Sequence, residues 1–396
     1  MKSHPGGFST AAIHAGAVKD QFGSLVSPIY QTATFVFDDC AQGGARFAGR
    51  EKGYIYSRLG NPTVQALEDK LAVLEQGQAA AAAASGMGAI ASAFWVIAGA
   101  GAHVLADSTL YGCTFALLAH GLTRFGVEVS FVDCSDPDQL KAGLRDNTVA
   151  VYLESPANPT LKITDLKAVA RTAHDFNRDI KVICDNTFAT PYLQNPLTLG
   201  CDLVVHSATK YLNGHGDVIA GFAVGDEELI GRIKLVGLKD LTGAVLSPHD
   251  AFLIQRGLKT LEVRMKRHCE NAGRIVEFLA GRPEVERLHY PGLPGHPGHQ
   301  IARRQMKDFG GMISFEIKGG KEAGQKLLNR LELCSLAVSL GDAETLVEHP
   351  ASMTHATYSP EELAAAGIPE GLVRLSAGLE NVEDIIQDLE RALESL

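Results

Sequence analysis

Short apolar segments alternate with helix-like segments between residues 103 and 224, and this alternation constrains the fold more than any other feature. Helical patterns such as Asp165–Phe176 separate the apolar segments. Short apolar strands that alternate with helices are typical of parallel sheets with crossover connections. The sequence therefore predicts an α/β fold with a parallel sheet. The predicted strands are His103–Ala106, Val127–Val132, Val149–Leu153, Lys181–Cys184, Leu203–Val205 and Gly221–Val224.

A helix is predicted to begin at Pro62, because Asn61 can cap it and proline suits a first helical turn. Its apolar stripe consists of Val64, Leu67, Leu71 and Leu74. The alanine run at 79–84 stays open at this point. Alanine favours a helix, whereas the layout of the neighbouring segments favours a strand.

The length of 396 residues predicts two domains and a smaller terminal segment. We expect an N-terminal arm at 1–60, since glycines and prolines interrupt it, and a large domain at 61–247. The pattern changes near Ser247. Residues 248–396 are expected to form a smaller C-terminal α/β domain. Its predicted elements are a long helical region at Asp250–Leu279, a loop at Tyr290–His299, a strand at Gly311–Ile317 and a last helix at Val382–Leu393.

Charge and composition argue against several classes of partner. The formal net charge of −10 disfavours nucleic acid and anionic membranes. No apolar run has the length of a bilayer span, and the first residues lack the apolar core of a signal peptide. Seven scattered cysteines without a C-x-x-C motif indicate free thiols and a cytoplasmic protein. We expect no metal site, because the spaced pair His296 and His299 lies in a loop of glycine and proline.

A lysine directly follows a buried strand in Ser207-Ala208-Thr209-Lys210-Tyr211, which is unusual because an ammonium resists desolvation. Asp185 ends a neighbouring apolar run. Ligands of parallel sheets bind beyond the carboxyl ends of the strands, so these residues are expected to meet. Pyridoxal phosphate needs a lysine for its aldehyde, a carboxylate for its ring nitrogen and donors for its phosphate. The alternatives are a solvated Lys210 and an Asp185 that only caps a turn.

Three further segments add groups that suit this cofactor and an amino-acid substrate. Gly86 and Met87 begin an apolar helix, whose N-terminus can bind a phosphate, although an ordinary tight turn is an alternative. Tyr111 follows a strand end and can stack on a ring or donate a proton; the alternative is a packed aromatic. Arg374 interrupts an apolar strand and suits a carboxylate, unless it forms an internal salt bridge.

Four segments of this chain together resemble the Cys/Met-metabolism family of pyridoxal-phosphate enzymes. They are Ser207–Tyr211 with the following Asn213–Asp217, the segment Tyr54–Thr63, the segment Glu154–Pro159 and the segment His349–His355. The similarity runs from about Thr10 to the C-terminus. It implies a type I PLP-dependent aminotransferase-like fold, with a mostly parallel sheet in the large domain. It also implies a homotetramer built as a dimer of dimers with shared active sites.

The resemblance also implies roles for individual residues. Lys210 would bind the cofactor's aldehyde and later move substrate protons, with Asp185 facing the ring nitrogen. Tyr56 and Arg58 would reach the neighbouring subunit's phosphate. The remaining implied roles are phosphate binding by Gly86, Met87, Ser207 and Thr209, contact with the phenolic oxygen by Asn158, carboxylate binding by Ser339 and Arg374, and ring stacking and acid catalysis by Tyr111.

Within the family, the resemblance is to members that cleave L-methionine. Val338 stands where cystathionine-processing members place an acidic residue, while Cys113 and the pair Lys239-Asp240 match the methionine-cleaving pattern. A thiol among apolar neighbours suits a thioether; the alternative for Cys113 is a small buried hydrophobe. We expect α,γ-elimination of L-methionine to methanethiol, 2-oxobutyrate and ammonia, with Lys210, Tyr111, Asp185 and Cys113 as catalytic residues.

Two other functions stay open from the sequence. The same site would also serve γ-replacement by a homoserine-ester sulfhydrylase or a cystathionine γ-synthase. A non-catalytic pyridoxal-phosphate protein is disfavoured, because Lys210, Asp185 and Arg374 are all present.

Overall fold

Two β-sheets organise the part of the chain that the structure describes, a sheet of seven strands and a sheet of five. The computed structural model describes residues 6–354, 356, 363, 367–394 and 396. The first five residues of the predicted arm and His355 of the last family segment lie outside the described residues.

The larger sheet has the spatial order β1-β7-β6-β5-β4-β2-β3. Strands β2 to β6 are mutually parallel neighbours, as the alternating pattern predicts. Its strands are β1 (Ala79–Ala83), β2 (His103–Asp107), β3 (Glu128–Val132), β4 (Thr148–Glu154), β5 (Lys181–Asp185), β6 (Leu203–Ser207) and β7 (Gly221–Gly225).

Strand β7 departs from the prediction, because it runs antiparallel to both β6 and β1. A parallel partner needs a crossover connection, usually a helix. Residues 208–220, which join β6 to β7, instead turn back with Gly214 and Gly216 at positive φ. Ser207 therefore pairs directly with Gly221. The connection carries Lys210 along the end of the sheet.

The alanine run that the sequence left open forms strand β1. All but its first residue are buried between the two layers of helices that cover the sheet. Alanine's preference for a helix is weak, at about 0.5 kcal/mol per residue relative to ordinary residues. Burial and pairing with β7 override this preference.

Helix boundaries follow local capping signals closely. The side chain of Asn61 accepts a hydrogen bond from the Thr63 backbone, and Pro62 is the first helical residue, as predicted. The predicted helical region Asp250–Leu279 is two helices, broken after Leu258. The α-helices are α1 (Phe8–His14), α2 (Cys40–Phe47), α3 (Pro62–Leu74), α4 (Gly86–Ile97), α5 (Gly112–Ala116), α6 (Pro137–Gly143), α7 (Leu166–Phe176), α8 (Thr190–Leu193), α9 (Glu227–Arg232), α10 (Pro248–Leu258), α11 (Leu261–Ala280), α12 (His299–Gln305), α13 (Gly320–Leu328) and α14 (Val382–Leu393).

The smaller sheet lies in the C-terminal part of the chain and has the order β10-β11-β12-β9-β8. Strand β12 runs antiparallel to β11 and β9. This pairing sets Glu348 directly opposite Arg374. The strands are β8 (Val285–His289), β9 (Met312–Ile317), β10 (Ser335–Leu336), β11 (Leu346–Glu348) and β12 (Leu372–Ser376).

The N-terminal segment combines a packed beginning with an exposed continuation. Lys70 on α3 donates a hydrogen bond to the Ala12 carbonyl oxygen on α1 at 2.6 Å, and Ala12 is buried. Farther along, Leu25 and Val36 are each 91% exposed. No helix among the described residues is long and apolar enough to cross a membrane. The described residues also hold no group of three or more His, Cys, Asp or Glu side chains suited to a metal ion.

The N-terminus of α4 approaches β7 very closely. A Cβ atom added at Gly221 would lie 2.2 Å from the Ser85 carbonyl oxygen and 2.7 Å from the Gly86 Cα. Only glycine allows this approach, because the obstructing atoms belong to the backbone.

We expect Gly221→Ala to lower the free energy of unfolding by about 1–3 kcal/mol, because the backbone must shift to admit the methyl group. Urea denaturation measures this effect. Gly99→Ala is the matched control, since a Cβ there meets nothing within 4 Å. Equal stabilities of the two variants would contradict the close approach.

Candidate active site

A cavity of about 630 Å³ lies beyond the carboxyl ends of the parallel strands, at the edge where the sequence predicts a ligand. It brings together groups from both sheets and from the connecting loops. Its lining includes Gly86, Met87, Tyr111, Cys113, Glu154, Asn158, Asp185, Thr187, Ser207, Thr209, Lys210, Val338, Ser339, Glu348 and Arg374.

Lys210 places its amine inside this cavity, in the connection that follows β6. Its Nζ donates a hydrogen bond to the Ser339 Oγ at 2.7 Å. Burial, assisted by the nearby Arg374 charge, lowers the Lys210 pKa to about 8. A substantial neutral fraction of the amine is therefore available near neutral pH. Ser339 itself has a φ of 95°, which is rare for a residue with a side chain.

Asp185 ends strand β5 and presents its carboxylate to the same cavity. Its Oδ1 accepts a hydrogen bond from the Thr187 backbone N–H at 2.9 Å. Its Oδ2 lies 3.5 Å from the Tyr152 hydroxyl. Burial raises the Asp185 pKa, and these hydrogen bonds oppose the rise. These hydrogen bonds hold the carboxylate in place at the wall of the cavity.

A buried carboxylate bridges the residues next to Asp185 and Ser207. Glu75 Oε1 accepts hydrogen bonds from the His206 Nε2 at 2.5 Å and from the Asn186 Nδ2 at 2.8 Å. The Glu75 and His206 side chains are fully buried. Because His206 and Asn186 lie in adjacent strand ends, this bridge fixes the relative position of the two site residues beside them.

The N-terminus of α4 forms the opposite wall. The Ser85 side chain caps it by accepting a hydrogen bond from the Gly88 N–H. A Cβ added at Gly86 would lie 2.9 Å from the Ser207 Cβ, so glycine lets the helix terminus and Ser207 meet. Thr209 Oγ1 accepts a hydrogen bond from the Ala220 N–H at 3.1 Å. Helix N–H groups and two hydroxyls therefore face one place, an arrangement suited to an anion.

Arg374 is buried, lines the same cavity and faces three acceptors. Its Nη1 donates to the Asn158 Oδ1 at 2.7 Å, and its Nη2 donates to the Ser339 carbonyl oxygen at 2.8 Å. The same Nη2 lies 3.1 Å from the Glu348 Oε2. Burial lowers the Arg374 pKa, and Glu348 opposes the change. The internal salt bridge that the sequence left open as an alternative is therefore present, in a residue that also lines the cavity.

Tyr111 and Cys113 occupy the mouth of the cavity. The Cys113 Sγ donates a hydrogen bond to the Tyr111 Oη at 3.3 Å. Cys113 is exposed, so it is not the buried small hydrophobe that the sequence left open. The bond to Cys113 and burial raise the Tyr111 pKa to about 12. Glu154 anchors this segment, because its Oε1 accepts a hydrogen bond from the Tyr111 backbone N–H at 2.8 Å.

Four predicted residues form a separate patch on this subunit. The Arg58 Nη1 donates to the Lys239 carbonyl oxygen at 2.6 Å, and its guanidinium lies 5.7 Å from the Tyr56 ring centre. The Lys239 Nζ is 2.7 Å from the Asp240 Oδ1. Among the described residues that line the cavity, none of these four is found. Within one subunit, the predicted site residues therefore lie in two places, the cavity and this patch.

Sequence reasoning missed Glu75 and Glu348 as functional candidates and noted Glu154 only as part of a family segment at a strand end. Glu154 and Glu348 each end an apolar strand, which is the signal that identified Asp185. Glu75 closely follows the last turn of α3 and gave no such signal. Its bridging position depends on contacts with β6 that are more than a hundred residues away in sequence.

Comparison with known proteins agrees with this geometry. Residues 9–394 match the family model described as Cys/Met metabolism PLP-dependent enzyme. The chain belongs to this family. It is 63% identical over its full length to an L-methionine gamma-lyase of Fusobacterium nucleatum subsp. polymorphum, and each chain is covered completely. It is 62% identical to the L-methionine gamma-lyase of Porphyromonas gingivalis, covering 98% of both chains.

A solved structure also resembles the whole chain. The crystal structure of metB from Corynebacterium glutamicum superposes with a TM-score of 0.92 at 44% identity, and both chains are covered completely. The predicted type I fold of this family is thereby confirmed. Family membership makes pyridoxal 5'-phosphate the cofactor, and the cavity fits it. An amine, a half-buried carboxylate and the helix N-terminus at Gly86 line one space.

The lowered pKa of Lys210 predicts a pH-dependent stability in the cofactor-free protein. The native state binds fewer protons than the unfolded chain between about pH 8 and about pH 10.5, so the free energy of unfolding rises with pH across that window. Below about pH 8 the full penalty for the buried ammonium is present. We expect Lys210→Met to be more stable than the wild type by up to about 3 kcal/mol at pH 7. The gap should close as the pH approaches 10.5.

Urea denaturation of cofactor-free protein at a series of pH values tests this expectation. Lys70→Met is the matched control, because burial lowers the Lys70 pKa to about 8 as well, away from the cavity. Added pyridoxal phosphate should give yellow absorbance in the Lys70 variant and none in the Lys210 variant. A stability gap for Lys210→Met that does not change with pH would show that the native state does not lower the Lys210 pKa.

Proposed function

We propose that the protein catalyses the α,γ-elimination of L-methionine, in which methionine and water give methanethiol, 2-oxobutyrate and ammonia. The observation that carries the proposal is the single cavity that joins Lys210, Asp185 and Arg374. An amine, a ring-nitrogen partner and a carboxylate receptor are the groups that such chemistry on an amino acid requires. The high identity to L-methionine gamma-lyases supports the substrate.

The residues divide between the cofactor's functional groups. Lys210 binds the aldehyde, and Asp185 pairs with the ring nitrogen. Asn158 contacts the phenolic oxygen, and Tyr111 stacks on the ring. The phosphate would be held by Gly86, Met87, Ser207 and Thr209, which line the cavity at and opposite the start of α4. When bound, the cofactor withdraws electrons from the substrate's α carbon, which makes the adjacent proton acidic.

Lys210 moves the protons of the reaction. Its free amine would remove the proton from the substrate's α carbon and, after releasing it, a proton from the β carbon. A pKa of about 8 suits both removal and return of a proton near neutral pH. Ser339, which already accepts a hydrogen bond from Lys210, limits where the amine can move. Ser339 and Arg374 orient the substrate by its α-carboxylate.

Tyr111 donates a proton to the departing sulfur. The Cys113 hydrogen bond and burial raise its pKa to about 12, so the phenol is protonated near neutral pH and can donate this proton as the carbon–sulfur bond breaks. Methanethiol leaves, and the enamine that remains reacts with water to give 2-oxobutyrate and ammonia. Cys113 lies next to this acid and contacts the thioether end of the substrate.

We also propose that the protein is a homotetramer in the cytoplasm, a dimer of dimers with shared active sites. The separate patch of Tyr56, Arg58, Lys239 and Asp240 supports this assembly. In a dimer these residues complete the neighbouring subunit's site, with Tyr56 and Arg58 at its phosphate and the Lys239-Asp240 pair near its substrate. The N-terminal arm also exposes the apolar side chains of Leu25 and Val36, and contact with another subunit would bury them. The proposal includes three parts of the chain. These are an N-terminal arm at 1–60, a large domain at 61–247 and a small domain at 248–396.

Product analysis tests the reaction directly. Cofactor-loaded enzyme is incubated with L-methionine and, separately, with O-acetylhomoserine plus sulfide. We expect rapid formation of 2-oxobutyrate and methanethiol from methionine. Homocysteine from the ester, with methionine nearly untouched, would replace the proposal by γ-replacement in the manner of a sulfhydrylase or a cystathionine γ-synthase. Lys210→Ala should abolish turnover and the yellow absorbance in either case.

Cys113→Ser tests the contact with the thioether. We expect kcat/KM for L-methionine to fall by about tenfold or more, because a hydroxyl is more strongly hydrated than a thiol and suits a thioether less well. Cys40→Ser is the control, since Cys40 is also an exposed free thiol but lies on α2. An unchanged kcat/KM in Cys113→Ser would remove this residue from the substrate site.

A further inference from the structure

Glu348 supplies an internal anion at the place where the substrate's carboxylate must bind. It ends β11 directly opposite Arg374 in β12, and their charged groups lie 3.1 Å apart. The two side chains are only 4% and 6% exposed. Both residues line the cavity. The Arg374 guanidinium therefore already has a partner before any substrate arrives.

Two other acceptors share the Arg374 guanidinium with Glu348. Its Nη1 binds Asn158, and its Nη2 is shared between the Ser339 carbonyl oxygen and Glu348. A substrate carboxylate at this guanidinium would bring a second anion close to the Glu348 carboxylate in a buried space. Two carboxylates that share one site do not both stay ionised readily, because their repulsion is poorly screened there.

We infer that Glu348 takes up a proton when the substrate's α-carboxylate binds at Arg374, and that this residue thereby sets the affinity for amino-acid substrates and its pH dependence. The inference rests on the proposed function, which assigns the α-carboxylate to Arg374. Glu348 is a residue that acts through Arg374, and it takes no part in breaking the carbon–sulfur bond.

The surroundings of Glu348 favour such a change of protonation. Burial raises its pKa, whereas the positive charges of Arg374 and Lys210 lower it. Two further groups influence these cations. Tyr111 raises the pKa of Arg374, and Asp342 raises the pKa of Lys210. Once the substrate carboxylate neutralises Arg374, the main force that keeps Glu348 ionised is lost.

The sign of the pH effect follows from this competition. Substrate binding raises the Glu348 pKa further, so binding tightens as the pH falls through the bound-state pKa. It levels off below the pKa of the free enzyme. Above the bound-state pKa no proton is taken up, and binding is weakest.

Spectrophotometric titration of the cofactor-loaded enzyme tests the coupling. L-Norleucine has the shape of methionine without a sulfur leaving group, and n-pentylamine is the same molecule without its carboxylate. Both are titrated from about pH 6 to about pH 9, where each free amine is mostly protonated. The difference between their pH profiles isolates the effect of the carboxylate. We expect the ratio of the Kd for L-norleucine to the Kd for n-pentylamine to rise with pH, by up to about tenfold per pH unit.

Glu348→Gln is the decisive variant, because glutamine keeps an oxygen that can accept the Arg374 hydrogen bond but carries no charge. We expect the extra pH dependence for L-norleucine to vanish and binding at pH 8 to tighten by about tenfold. Binding of n-pentylamine should stay unchanged. An unchanged profile for L-norleucine would overturn the inference. Weaker binding at every pH with the original slope would also overturn it, since Glu348 would then only hold Arg374 in place.

A second measurement needs no variant. Calorimetry of wild-type enzyme in buffers of different ionisation enthalpy counts the protons taken up on binding. We expect up to about one proton more for L-norleucine than for n-pentylamine near neutral pH. Equal uptake would overturn the inference.

Turnover of L-methionine in the same wild-type preparation separates the two proposals. Turnover without carboxylate-dependent proton uptake would overturn the role of Glu348 alone. Proton uptake with L-norleucine but no methionine cleavage would overturn the proposed reaction and leave the role of Glu348 standing.

Discussion

The close approach of three backbone segments is the constraint on which the site depends. Ser207 in β6 pairs with Gly221 in β7, and the N-terminus of α4 packs against both at distances that exclude a Cβ atom. This contact positions the helix N–H groups beside the Lys210 loop. It also explains why β7 must run antiparallel, because only a short return brings Gly221 back beside Ser207. The backbone positions of these three segments therefore shape this wall of the cavity, independently of its charged side chains.

Charges buried at this edge of the sheet are arranged so that each has a partner of opposite sign or a set of hydrogen bonds. Arg374 lies beside Glu348, and Asp185 accepts the Thr187 N–H. Lys210 is the exception, since a neutral hydroxyl on Ser339 is its hydrogen-bond partner. Burial therefore lowers its pKa. The same physical effect that destabilises the native protein at neutral pH makes the amine available for chemistry.

Sequence reasoning identified site residues where a charge interrupts or ends an apolar strand. Lys210, Asp185 and Arg374 stand out in this way, because burying an ionised group requires a compensating partner. Glu348 carries the same signal but was missed, since its meaning depends on lying opposite Arg374 in the neighbouring strand. The direction of β7 was predicted wrongly for a similar reason. Apolar composition reveals a strand, whereas the connection to the preceding strand decides its direction.

The sequence by itself determined the α/β class, the starts of helices such as α3, the family and the residues that suit pyridoxal phosphate. These features depend on local capping, on periodicity or on motifs that are contiguous in the chain. Only the tertiary structure decided that the alanine run forms β1, that Glu75 bridges two strand ends and that Glu348 neutralises Arg374. Each of these depends on contacts between residues far apart in the chain, and no local pattern encodes which distant groups will meet.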